Sequence, residues 1–563
     1  MEKRIFLAVA LSIAILYLYG AIAPKIFPEL APKKPPVTTT TSTTGTTPKT
    51  TTGTTTSATT TAVAPAAAPQ SPATIAPVAT NVVASVLQNT RVETTDFIAT
   101  FSNRGAQLIS FQLKRYEAKG GGHVELVKRR GPGRSDYPFA IVTTTKPPAD
   151  ELNNGLWSVS ESHDGPLTVI DYRYAHNGLA ASKTFRLGPE YMFHFAVSTN
   201  LPTPYRIEVG PGIRELSPEE GESQLTVTGD GLVQRDDSLK VIKKEKAPRI
   251  EVYPADTQFV GLEDNYFMTV LKPEKAGNAI LSRVDFIGAK KGDTRYEMYS
   301  ALNAASDGVV SGNAFFGPKE TGVVDRYGLE RTLQFGMFGM IARFFLITLK
   351  WINTYTHNWG FAIIVLTFLI KIVLYPLQHK SITSMRKMQK LQPKVESIKN
   401  RYKKAKTDPE QRQKMNVEVM KMYQTEGVNP MGGCLPMLLQ LPIFWGFYGL
   451  LSRAIELRGA PFILWIHDLS SKDPYYITPI LMTITMFIQQ ALTPTTVDPA
   501  QRRMFMIMPL VFGFFFKELP SGLVIYWLMQ NVLGIIQQLI MNKWWKDHPD
   551  ERDDDNPEDD KKK

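Results

Sequence analysis

NWGFAIIVLTFLIKIVLYPLQHK, Asn358 to Lys380, is the stretch around which the rest of the chain is arranged. It is long and apolar enough to cross a bilayer, since about twenty such residues span roughly 30 Å of hydrocarbon. Yet Lys371 lies inside it, nine residues before Lys380 and thirteen after Asn358. At about 1.5 Å of rise per residue its Cα is more than roughly 10 Å from either polar end, too far for snorkelling alone to free the ammonium. Thr367, Lys371 and Tyr375 recur at i, i+4 and i+8, so they form one polar stripe along a helix face.

A charge inside a membrane normally pairs with an opposite one. The later apolar segments, 435–452, 475–492, 504–516 and 522–541, contain no Asp or Glu. They do carry Gln440, Thr483, Thr485, Gln489, Gln490, Gln530, Asn531, Gln537 and Gln538. A lone lysine among neutral polar groups fits a hydrated cavity better than a buried ion pair. The plainer alternative is a lysine solvated at a thinned interface, with no task.

Working outward, the 563 residues leave room for several domains, and the composition is split: the first two thirds read as soluble protein, the last third as membrane protein. The net charge of +11 is concentrated in 380–421, so it describes one segment rather than the whole surface. A single cysteine, Cys434, excludes an intramolecular disulfide.

Met1 to Gly20 is a basic start followed by an apolar run. It reads as an N-terminal transmembrane anchor over 1–23 or a cleaved signal peptide, with Ala21-Ile22-Ala23 as the cleavage pattern. Lys3 and Arg4 keep its start in the cytoplasm, so the chain beyond residue 23 is delivered outside. The stretch 24–82, dominated by Thr, Pro, Ala and Ser, has too few large apolar side chains to offset the entropy of ordering and reads as a flexible tether. Residues 83–325 show short alternating runs between turn residues, which predicts an antiparallel β-sandwich. The runs include Asp96–Ser102, Gln107–Leu113, Thr168–Tyr174, Lys183–Leu187, Tyr191–Ser198, Arg206–Val209, Gln224–Val227 and Tyr266–Val270. His123, His163, His176 and His194 show no metal-site spacing, and a plain β domain is preferred over a carbohydrate or peptide cleft.

Residues 334–350, with Arg343 at the middle, are placed as an amphipathic helix in the outer interface rather than as a span. Residues 380–430 carry thirteen Lys or Arg against Glu396, Asp408, Glu410, Glu418 and Glu426, which puts this end of the 358–378 span in the cytoplasm. Helical spacing through Met385–Lys406, then Thr407-Asp408-Pro409 as cap and first turn of a second helix to Thr425, predicts a basic cytoplasmic hairpin over 384–425. Lys403, Lys404 and Lys406 are assigned to its basic face, and Met415, Met420 and Met422 to a soft apolar side. Four further spans come after it, of which 504–516 is short for a bilayer and contains Pro509. The tail, 542–563, is mostly acidic and reads as disordered. There is no GxxxxGK[ST] loop, so no nucleotide is implied; no catalytic set is legible, and neither enzyme activity nor a cofactor is expected.

With those residues in hand, the C-terminal part resembles the YidC-type membrane protein insertases. The likeness rests on Asn358-Trp359-Gly360, Tyr375-Pro376-Leu377, Ser384-Met385, Leu391-Gln392-Pro393-Lys394, Asn429-Pro430, Gly432-Gly433-Cys434-Leu435-Pro436, Gln440-Leu441-Pro442-Ile443-Phe444 and Pro520-Ser521-Gly522-Leu523-Val524. The anchor, tether and β domain are similar to the Gram-negative form, whose periplasmic domain is a β-supersandwich. The resemblance implies a multi-domain, multi-pass protein of the bacterial inner membrane, with a cytoplasmic N-terminus and a C-terminal five-helix transmembrane insertase bundle. It further implies that Lys371 takes the place of the groove's positive residue, usually arginine. Thr367 and Gln440 would line the groove, and Tyr526 and Trp527 would be an aromatic pair that contacts the client. Tyr375, Gln530 and Asn531 complete the expected groove. The implied partners are nascent membrane proteins, the Sec translocon, the ribosome, the signal recognition particle receptor and anionic lipids. The rival reading is a proton- or solute-coupled transporter using Lys371, for which inverted repeats are expected and none is seen. An envelope-assembly enzyme with chemistry in the β domain is a second.

Overall fold

The computed structural model describes residues 81–128, 137–144, 146–217, 220, 226–275, 277–287, 294–402, 408–428, 435–493 and 499–547. The anchor, nearly all of the tether, Lys403, Lys404, Lys406, the Asn429–Cys434 block and the tail beyond 547 lie outside them.

Alternation of apolar and polar residues builds the β domain. In Leu179–Leu187 the odd positions Ala181, Lys183, Phe185 and Leu187 point inward, as the two-residue period of a strand requires. A nine-stranded sheet runs Ser238–Ile242, Thr228–Arg235, Thr257–Asp264, Phe267–Pro273, Val309–Pro318, Met192–Thr199, Leu179–Leu187, Leu167–His176 and Ser158–Asp164. A five-stranded sheet runs Ile250–Tyr253, Ala279–Ile287, Thr294–Asn303, Tyr205–Val209 and Ala140–Thr143; a four-stranded one runs Asn89–Glu93, Phe97–Ser102, Gln107–Glu117 and His123–Glu125. All these pairings are antiparallel. Their inner faces meet on a core of Phe101, Phe111, Phe139, Phe185, Phe193, Phe195 and Phe316. Buried among them, Lys183 is held by donating to the carbonyls of Gly105 at 2.6 Å and Phe139 at 2.8 Å. The run Gln224–Val227 is not a strand where it is described: pairing begins at Thr228, and the Val227 N–H is taken by the Asn265 side chain.

The helical region begins with α2 (Gly339–Thr356), α1 being Lys146–Asn154 in the β domain. α2 starts five residues later and ends six later than expected. Ala342, Phe345, Leu346, Leu349 and Ile352 face inward, whereas Phe344, Ile347, Trp351 and Tyr355 are exposed, so it is apolar on both sides. α3 (Trp359–Lys390) is continuous for 32 residues. The Asn358 side chain caps it, accepting from the N–H of Gly360 at 2.9 Å and Phe361 at 3.1 Å. The expected single hairpin helix is broken at Leu391, because Pro393 starts a new helix, α4 (Gln392–Arg401). α5 (Pro409–Thr425) is capped by Asp408 as anticipated. Lys394 pairs with Glu426 at 2.6 Å and Arg401 with Glu418 at 2.5 Å across the two.

α6 (Leu435–Arg453), α7 (Ile477–Leu492), α8 (Pro499–Phe516) and α9 (Ser521–Asp547) complete the region. α8 begins five residues before the apolar run that announced it, and α9 continues six beyond. Among the described residues, α3 and α9 are long and apolar enough to cross a membrane; α7 and Met506–Phe516 are shorter apolar helices. α9 is the central element, packed on α3, α6 and α7.

The two parts are joined by specific contacts. Ile455, in the loop after α6, is buried in the β-domain core. Arg458 donates to the Glu117 carbonyl at 3.0 Å and lies over the rings of Tyr266 and Phe267, 5.8 and 5.4 Å from their centroids. Asn265 donates to the Ser452 carbonyl, Lys119 to the Ser471 hydroxyl, and Glu456 takes both Lys350 and the Thr321 hydroxyl. Behind the turn 264–267, buried Arg214 binds Asp264 at 2.5 Å and grips Glu220 with two bonds of 3.0 Å. Burial alone would raise the Glu220 carboxyl, but Arg214 outweighs it and pulls the pKa down to about 2. The β domain is therefore seated on the helical region.

Candidate functional site

The polar stripe of α3 changes character along its length. Thr367 is wholly buried and spends its hydroxyl on the Ile363 carbonyl, 2.6 Å away, so it faces packed helix rather than open groove. One turn on, Lys371 is half-buried and, among the described residues, has neither a hydrogen bond nor an ion pair. Tyr375 is 47% exposed, its ring 6.0 Å from that of His379. The stripe opens towards the end that carries the hairpin.

α9 supplies the facing polar seam. Tyr526 is fully buried, its ring stacked on Phe447 at 4.2 Å. Its hydroxyl accepts from Gln440 of α6 and, at 3.4 Å, from Gln530. Asn531 donates to the Met482 carbonyl at 3.3 Å and the Thr485 hydroxyl at 3.2 Å, tying α9 to α7. Trp527, though adjacent to Tyr526, is turned by the roughly 100° step of a helix into another cluster: Phe444, Phe512 and Phe516, with ring centroids 5.4, 6.3 and 5.2 Å away. The two aromatics therefore do not form one surface; Tyr526 is a packed support and Trp527 is half-buried.

Sequence reasoning missed the lower end of this seam. Arg386, fifteen residues beyond Lys371, lies roughly 60° from it around the helix, on a continuation of the same side. It donates to Asn542, which also accepts from Gln538 at 2.9 Å, and its guanidinium lies 3.9 Å above the Trp545 ring. The helical spacing of Gln538, Asn542 and Trp545 was the available signal. On the hairpin, Met422 packs against Met388, Leu391 and Val428, and half-buried Met415 is two turns before it. Met420 is 47% exposed on the opposite side, so the three methionines do not share one face.

In the β domain the histidines stay apart: His194 meets Glu274 at 3.1 Å and His163 meets Thr168 at 3.5 Å. No group of three potential metal ligands occurs among the described residues. A groove of about 500 Å³ on the five-stranded sheet is lined by Val142, Tyr205, Ile250, Val252 and Ile280, and its Arg206 is tied to Glu208. Among the described residues that line it, no nucleophile is paired with a base.

Residues 351–548 match the family described as 60Kd inner membrane protein, and residues 89–348 match the YidC periplasmic domain. The membrane protein insertase YidC of Geotalea uraniireducens (strain Rf4) is 36% identical over 578 residues, covering 96% of this chain and 99% of its own length. That of Geobacter sp. (strain M21) is 37% identical over 492 residues, covering 82% and 86%. A crystal structure of an active YidC insertase, with its first transmembrane domain resolved, aligns with 82% of this chain and 94% of its own at 20% identity and a TM-score of 0.36.

Proposed function

The chain belongs to the YidC family of membrane protein insertases, and from that premise we propose that it inserts nascent membrane proteins through a half-wet groove centred on Lys371. Its homologues are inner membrane proteins with a periplasmic domain, and the family is not a class of enzymes. Nothing in the matches supports the transporter alternative.

Insertion must carry a polar terminus or loop of the client through hydrocarbon, where each unsatisfied polar group costs several kcal/mol. The groove lowers that cost by solvating the polar part while the client's apolar helix slides into lipid. The driving force is the partition of that helix, about −0.3 to −0.6 kcal/mol per Leu-like residue at mid-membrane, aided by the membrane potential on acidic termini. The observation that carries this reading is Lys371 itself: half-buried, without a counter-charge among the described residues, on a stripe that opens towards the hairpin. Tyr526 and Gln440 brace the groove wall, Trp527 edges it, and the hairpin receives clients on the cytoplasmic side. The basic hairpin would meet anionic lipid or the ribosome, with the Sec translocon and the signal recognition particle receptor as further partners. The N-terminus is assigned to the cytoplasm and the segments 358–378, 435–452, 475–492, 504–516 and 522–541 to five crossings.

Photocrosslinkers at 371 and 527 should capture a client during insertion. Lys371→Arg should preserve insertion of clients with acidic termini, and Lys371→Glu should slow it at least tenfold. Equal insertion by the glutamate variant and its parent would remove the charge from the mechanism.

A further inference from the structure

On α9, residues 526, 530, 534, 537 and 541 fall within about 40° of one line at 100° per residue, and so form one face. Most of its polar groups are committed. Gln530 donates to Tyr526, whose hydroxyl also serves Gln440. At Gly534 the Gln489 amide fills the place of a side chain, its Nε2 lying 2.6 Å from where a Cβ would sit. Gln537 is different: it is 8% exposed, and its Nε2 is the one buried side-chain polar atom on the described part of α9 without a hydrogen-bond partner. An unpaired buried amide is costly in a helix bundle and is rare in folded proteins. Its position matters too. Asn542 stands level with Arg386 through their bond, Gln537 is five residues before Asn542, and Lys371 is fifteen before Arg386. At about 1.5 Å per residue, Gln537 lies roughly 15 Å nearer the hairpin than Lys371, so a client entering from that end passes its level first.

We propose that the Gln537 amide is a client-binding group of the groove, donating to a backbone carbonyl or other neutral acceptor in the polar segment being moved. This rests on the insertase reading above and deepens it by dividing the work. Lys371 acts on charge, and Gln537 acts on uncharged peptide. Neutral polar tails should therefore depend on Gln537 where acidic tails depend on Lys371.

The test uses the full-length protein in proteoliposomes, with three clients that share one apolar helix and carry a neutral Ser/Thr/Gln tail, an acidic tail, or no tail. Gln537→Met keeps length and volume but removes the donor. It should slow the neutral-tailed client about fivefold, the worth of one hydrogen bond, leave the tailless client unchanged, and not lower the melting temperature. A photocrosslinker at 537 should capture the neutral tail. The proposal is overturned if Gln537→Met inserts the neutral-tailed client at the parent's rate, or if it slows all three clients equally, which marks a packing role. Lys371→Glu runs in parallel: if it slows the acidic-tailed client while Gln537→Met has no effect, only this inference falls. If neither variant matters, the groove reading falls with it.

Discussion

Replacing Arg458 with alanine should loosen the seat of the β domain on the helical region by about 2 kcal/mol. The guanidinium's bond to the Glu117 carbonyl is exposed, so about 1 kcal/mol is reasonable. Its two ring contacts, on Tyr266 and Phe267, add about 0.5 kcal/mol each at a partly solvated site. The remaining ties, through Asn265, Glu456 and Lys119, together with Ile455, should keep the parts docked in the single variant. Ile455 is 3% exposed, and Ile455→Ala should cost a further 2–5 kcal/mol; the sites are close enough that the sum is approximate. Hydrogen exchange on the full-length protein in lipid nanodiscs reads the result. Amides of 454–458 and 265–267 should exchange roughly 30-fold faster in Arg458→Ala, following the local opening free energy, and lose protection altogether in the double variant. Unchanged protection of both segments in the double variant would show that these residues do not hold the joint.

Two more outcomes are set by the packing. Tyr526→Phe keeps the stack on Phe447 but strands the Gln440 and Gln530 amides, so it should destabilise the helical region by about 2 kcal/mol in a detergent unfolding assay. On the hairpin, Met422→Ser should weaken the packing of α5 on its base and speed proteolysis between α4 and α5, whereas Met420→Ser should leave cleavage unchanged. A fall in client crosslinking with Met420→Ser alone would identify that exposed methionine as a contact.

The helices were legible because long apolar runs and caps act locally. Asp408 caps as its position suggested, the Asn358 cap was not singled out in the sequence, and the one misjudged join, at Leu391, was available in Pro393. The early start of α8 at Pro499 was hidden because Gln501, Arg502 and Arg503 interrupt the apolar pattern. The alternating runs showed the strands but not the order in which nine of them share a sheet, which depends on pairings far apart in sequence. For the same reason nothing in the sequence marked Ile455 and Arg458, between the apolar segments 435–452 and 475–492, as parts of the joint with the β domain. At the site, residue types were recoverable and directions were not. Thr367 belongs to the stripe by spacing yet turns into packed helix, and Tyr526 and Trp527 are neighbours in sequence yet serve separate clusters.

The unbroken course of α3 makes it a lever. Pro376 withholds the hydrogen bond that the Ile372 carbonyl would otherwise receive, and prolines are where helices bend most readily. From Pro376 to Lys390 is fourteen residues, an arm of about 21 Å. A swing of roughly 10° at the proline would carry the root of the hairpin through roughly 4 Å and Arg386, ten residues along the arm, through roughly 2.6 Å, which stretches its contacts on Asn542 and Trp545. The same swing would part α3 from α9 below Tyr375 and leave Tyr375 and Thr367, both before the hinge, still. Movement of the hairpin and opening of the groove mouth would then be one mechanical event, with the Arg386 contacts as its latch.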